Sequence, residues 1–217
     1  MSSIKLKHSG GNSVSLNPPT SAPTSSEVAF KLPTSDGSAG QVLQTDGSGN
    51  LSWVTPCLTH ARAYRLTTNY TLSSGNATLT TWEYADTNSS GIIGSSWSLP
   101  SSGVFSFPAT GIYLVKANGM IQCASGVNQP YMGCELAGTI NNSSYVTLSQ
   151  AWASQSDDFS STRYHNTHCA AYIDCTDTSQ VKFKINVYRD ANYGNIEFVG
   201  DTNQNTTWVE VTRLGNT

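Results

Sequence analysis

Beyond residue 57 the chain alternates apolar and polar positions in short runs, with turn residues between the runs. The clearest run is 181–189, where Val181, Phe183, Ile185 and Val187 fall on one face and Lys182, Lys184, Asn186 and Tyr188 on the other. Comparable period-two stretches cover 60–67, 77–84, 104–107, 111–121, 130–136, 144–152, 165–174, 196–199 and 206–214. No segment holds a 3.6-residue period. About ten short strands with turns between them predict an all-β fold, a jelly-roll sandwich spanning 57–217. A domain of that length buries roughly 70% of its unfolded surface, so it needs no disulfide to hold it together.

Residues 1–56 read differently. They contain no Arg, and their only aromatic residues are Phe30 and Trp53. Residues 9–26 are nearly all Ser, Gly, Asn, Pro and Thr, too little apolar surface to offset their own ordering. Two readings compete: a flexible linker, and an extended arm that orders against a partner or against copies of itself. Local pattern favours the arm. Ile4 and Leu6 alternate with polar residues, as do Val28, Phe30 and Leu32 before Pro33. Residues 41–54 place two short strands around Asp46-Gly47, a hairpin signal. A lone hairpin is marginal in water, so Val42, Leu43, Leu51, Trp53 and Val54 need another surface.

Composition narrows the function classes. Ser, Thr and Asn supply 73 of the 217 residues, and charged residues only 12%, against about 25% in an average protein. The net charge is −3, with no block of Lys and Arg, which excludes a nucleic-acid footprint. No apolar run is long enough to span a bilayer, and no apolar segment follows Lys5 and Lys7 as in a secretory signal. The chain is therefore expected to be made in a cytoplasm and to contact neither nucleic acid nor membrane. Five Cys, an odd number, fit reduced thiols. Cys169 and Cys175 are too far apart on one strand to bridge, whereas Cys123 and Cys134 flank a Gly/Asn/Pro loop and could face each other across a hairpin. The remaining Cys, Cys57, lies at the junction of the two parts.

Candidate chemistry is sparse. His165 and His168, three apart on a strand, point to opposite faces and do not form a bidentate metal site. Asp157-Asp158 reads as a solvated loop pair rather than a calcium site, since no spaced carboxylates surround it. The chain lacks the nucleophile-elbow, zinc-protease and phosphate-loop motifs. Glu83, Asp86, Glu135, Glu197 and Glu210 are scattered over strands or their ends, and only two that converge in space would make a glycosidase pair. No catalytic, cofactor or metal residue is expected.

One stretch carries a resemblance. Phe105, Pro108, Gly111 and Tyr113 stand in a Phe-x-x-Pro-x-x-Gly-x-Tyr arrangement. It resembles the signature of the globular-head domain of complement and tumour-necrosis-factor-like proteins, and the segment 201–214 resembles the end of that domain. The resemblance implies a jelly roll that associates as a tight trimer. Residues 31–53 resemble a segment common in fibres of tailed bacteriophages, where it precedes a knob or receptor-binding domain.

Together the two resemblances imply a virion structural protein without enzymatic activity, a homotrimeric short tail fibre or spike. Residues 1–56 would attach to other virion proteins, and the 57–217 knob would contact a host-surface glycan or protein. The rivals are a capsid decoration or head-fibre protein, a surface-polysaccharide hydrolase and, more distantly, a cellular complement-like ligand. Trp53, Tyr113, Val115, Phe183 and Ile185 are expected in the core or around a threefold axis. For surface recognition the expected residues are Trp97, Tyr131 and Tyr193, drawn from a wider set of rings that includes Trp82, Trp152, Tyr164, Tyr172 and Tyr188.

Overall fold

A computed structural model describes residues 4–17, 19–24, 27–55, 58–87, 92–156 and 160–217. Cys57 and the Asp157-Asp158 pair lie outside the described residues. The chain divides into two compact units, Met1–Pro56 and Cys57–Thr217.

The first unit holds two hairpins. β1 (Ile4–Lys7) pairs with β2 (Ser13–Leu16), placing Ile4 opposite Leu16 and Leu6 opposite Val14. All four side chains are exposed. β2 lies inside the Ser/Gly-rich stretch, where composition alone gives no strand. β3 (Val42–Thr45) pairs with β4 (Leu51–Val54). The Asp46 carboxylate closes their turn by accepting from the backbone N–H groups of Ser48 and Asn50. Those contacts, with the side-chain amide of Asn50 first, hold its carboxyl below the usual range. The alternation at Val28, Phe30 and Leu32 does not become a strand. Lys31 makes a single parallel bridge to Asn50, and the three apolar side chains stay exposed.

The second unit is a two-layer sandwich with no α-helix among the described residues. Its strands are β5 (Ala61–Leu66), β6 (Tyr70–Leu72), β7 (Asn76–Thr78), β8 (Trp82–Tyr84), β9 (Val104–Ser106), β10 (Gly111–Cys123), β11 (Gln129–Thr139), β12 (Val146–Gln155), β13 (Arg163–Cys175), β14 (Lys182–Arg189), β15 (Ile196–Phe198) and β16 (Trp208–Gly215). One sheet is built on β10, which pairs with β13 along one side and with β16 and β15 along the other; β5 and β8 extend it beyond β16, and β6 beyond β15. The other runs β12-β11-β14, with β7 and β9 both on the far edge of β14.

The 77–84 run, expected as one strand, is two. Leu79 and Trp82 are both buried, which an unbroken strand forbids because positions three apart face opposite ways. The chain instead leaves the second sheet after β7 and joins the first at β8, and the Trp82 indole N–H donates to the Leu79 carbonyl. The three-residue β6 is too short to show a period.

The Phe105–Tyr113 stretch explains itself in space. Phe105 stacks on Phe183 with centroids 4.6 Å apart, and Phe107 packs on Tyr113 at 4.5 Å. The Tyr113 hydroxyl donates to the Ala109 carbonyl at 2.9 Å and closes the turn. Gly111 has φ 145°. A Cβ there would sit 2.5 Å from the Gly215 carbonyl oxygen, so the crossing onto β16 needs glycine. Tyr113, Val115, Phe183 and Ile185 all lie in the sandwich core.

Cys123 and Cys134 do not face each other. Residues 124–128 carry the chain from one sheet to the other instead of turning back within one, so the two Cys end in different layers. Cys123 meets the Met132 sulfur at 3.3 Å. Cys134 meets Cys169 across the sandwich, with the sulfurs 3.2 Å apart and both thiols free. Burial pushes the Cys123 thiol up to about 11, which suits a packing residue rather than a nucleophile.

Candidate functional site

Each sheet turns one face to the core and one outward, and the two outward faces differ in chemistry. On the seven-stranded sheet, cross-strand partners share a face. Leu114 lies beside Tyr172 and Thr212, Lys116 beside Ala170 and Glu210, and Asn118 beside His168 and Trp208. Lys116 and Glu210 pair at 3.9 Å. Tyr172 is 72% exposed, and Tyr164, Ile112 and Leu214 are also exposed.

Where the edges of β12 and β13 meet, an open groove of about 450 Å³ is lined by Ile140, Val146, Leu148 and Tyr172 among others. All four are large, apolar or aromatic, and exposed. These four side chains form the exposed apolar part of the groove's lining.

The five-stranded sheet presents rings and amides. Gly133 lies directly between Trp152 on β12 and Tyr188 on β14. With no side chain between them, the two rings come within 5.7 Å. Tyr131 also meets Trp152, edge-on at 5.6 Å. Trp152 and Tyr131 are each nearly half exposed.

Two residues along the strand is Glu135, which is buried. Its carboxylate accepts three hydrogen bonds, each 2.9 Å, from Thr147 Oγ1, Asn186 Nδ2 and Tyr188 OH. Burial, reinforced by the bond to Glu135, pushes the Tyr188 phenol upward. Thr78 donates to Asn186 Oδ1 at 2.7 Å. Beside this network, Asn76, Thr78, Lys184, Asn186 and Tyr188 line a shallow depression of about 190 Å³.

No family model matches this chain, and no curated protein does. Solved structures match by shape. The Eiger tumour necrosis factor of S. frugiperda superposes with a TM-score of 0.54 at 16% identity, over 75% of this chain and 96% of that one. Murine APRIL at pH 8.5 gives 0.49 at 13% identity, over 71% and 98% of the two chains. The fold is a tumour-necrosis-factor-like jelly roll. At such identity the likeness speaks for the fold alone.

The expected recognition residues separate in space. Tyr131 belongs to the ring cluster, together with Trp152 and Tyr188 from the wider set. Trp97 is half-buried, packed edge-on against Tyr64 and His60, with its N–H on the Ile93 carbonyl. Tyr193 is exposed in the 190–195 loop, where its carbonyl accepts from the buried Arg189. Trp53 lies in the first unit, its indole N–H bonded to the Ser35 carbonyl and its ring against Gly37.

Two of the five scattered acids do converge. Glu83 and Asp86 both reach Arg65, at 2.7 and 3.7 Å, where they form an ion-pair cluster. Among the described residues no group of three or more His, Cys, Asp or Glu could hold a metal ion. The Glu135 network escapes sequence reading, although a Glu inside the apolar run 132–137 and a Gly in mid-strand are both signals of an unusual position.

Proposed function

We propose that this chain is a non-enzymatic structural protein of a phage virion, a homotrimeric short fibre or spike. The arm attaches to the particle and the knob contacts the host surface. The observation that carries the reading is the exposed strip of Ile140, Val146, Leu148 and Tyr172 on a tumour-necrosis-factor-like jelly roll. Laid against the outward face of the seven-stranded sheet of a second copy, it makes a heterologous contact, the kind that generates a ring when its rotation closes, and the ring we propose has three copies. The arm adds to the argument. Both of its hairpins leave apolar side chains exposed, and copies around an axis supply the missing surface. The phage-like segment 31–53 supports the virion assignment, and three knobs on one particle turn weak contacts into avid ones.

Light scattering on the full chain tests this. The expected mass is three times the 23.2 kDa of one chain. Tyr172→Asp and Val146→Lys, both at exposed positions, are expected to shift it toward one chain without unfolding the sandwich. A monomer in the unaltered protein defeats the reading.

A further inference from the structure

The outward face of the five-stranded sheet combines three features that the self-association of the knob does not use. Trp152 contacts both Tyr131 and Tyr188 and is nearly half exposed. A polar depression lies beside Tyr188. Beside both, the Glu135 carboxylate accepts hydrogen bonds from Thr147, Asn186 and Tyr188.

The last feature decides the chemistry. Because the hydroxyls of Thr147 and Tyr188 donate to Glu135, their oxygens are left as acceptors for an incoming group. Thr78 is fixed in the same way by donating to Asn186. The amide of Asn76 and the ammonium of Lys184 supply donors on the depression's rim. The face thus presents oriented acceptors and donors beside an aromatic platform. A pyranose is complementary to it, since it carries an apolar C–H face and a rim of hydroxyls that both donate and accept.

Charge narrows the guest further. Glu135 is buried and fully engaged, and Lys184, the cation of the depression, lies over the Tyr145 ring at 4.5 Å. With Glu135 engaged by three donors and the Lys184 ammonium on the Tyr145 ring, the face offers an acidic sugar no unengaged cation among the described residues. The depression is small, about 190 Å³, so it seats a single ring rather than a chain.

We infer that this face binds a neutral oligosaccharide, one ring stacked on Trp152 and the next seated beside Tyr188, Asn186 and Thr78. The inference rests on the adhesive reading above and names its ligand class and its residues.

A glycan array tests it. The unaltered full chain is applied to immobilised neutral glycans (glucans, mannans, galactans, N-acetylglucosamine oligomers) and to uronate- and sialate-bearing ones. At least one neutral class should be retained. Trp152→Ala and Asn76→Ala should each weaken it by roughly tenfold or more, at unchanged melting temperature and mass. Tyr131→Ala serves as a second platform variant should either of these fail to fold.

Retention of acidic glycans only, retention of none, or full retention by Trp152→Ala overturns the inference. So does a change of oligomeric mass on Trp152→Ala, which would make the face a contact between copies. The mass of the same samples separates the two ideas. A trimer that retains no glycan removes the sugar site alone, and a monomer that retains one removes the trimer alone.

Discussion

Phe183 is fully buried, stacked on Phe105 with an interplanar angle of 9°, and also touches Phe107. It therefore joins the second sheet to the Phe105–Tyr113 turn of the chain. Phe183→Ala is expected to cost about 3–5 kcal/mol by the lost transfer energy and the cavity left behind, measured by urea unfolding. Two histidines contribute to acid sensitivity. His60 is held below 6.5 by burial and then by the charge of Arg213, and His165 by burial and then by that of Arg163. The sign follows from which state takes up the proton first. Below pH 6.5 the unfolded chain protonates these rings more readily than the folded one, so stability falls with acidification. Between pH 7 and 5, above the usual carboxylate range, the melting temperature should drop, and by less in His165→Gln. A flat profile contradicts the assignment.

At the scale of elements, the long strands were legible, and so were the short β3, β4, β9 and β15, which carry alternation or a turn signal; β2 and β6 were not. β14 announces itself because its inward Phe183, Ile185 and Val187 alternate with polar residues on a half-exposed face. β2 and β6 leave no such trace: the first lies in a Ser/Gly-rich stretch and the second has three residues. The split of 77–84 was invisible because alternation does not report which sheet a strand joins. The same limit hid the thiol pairing. Spacing placed Cys123 and Cys134 on either side of a loop, but only the crossing between layers brings Cys134 to Cys169. The candidate site was legible one residue at a time, as rings and an acid. Their convergence depends on register, which sets Gly133 between Trp152 and Tyr188.

At the scale of the whole molecule, the question is where assembly energy resides. The second unit carries its own core, so the 57–217 fragment should fold without the arm and show the same trimeric mass by light scattering. A trimer seen only for the full chain would move the assembly energy to the hairpins at Ile4–Leu16 and Val42–Val54. Either way, the β11 strand holds a further consequence. Its Met132, Cys134 and Leu136 bind the layers together, while Tyr131, Gly133 and Glu135 look outward. Tyr131, Trp152 and Asn76 are exposed on the outward side, so substitutions there leave the core side chains in place. On the adhesive reading proposed above, a lineage can change what it sticks to while inheriting the same scaffold, and its attachment preference should diverge faster than its architecture.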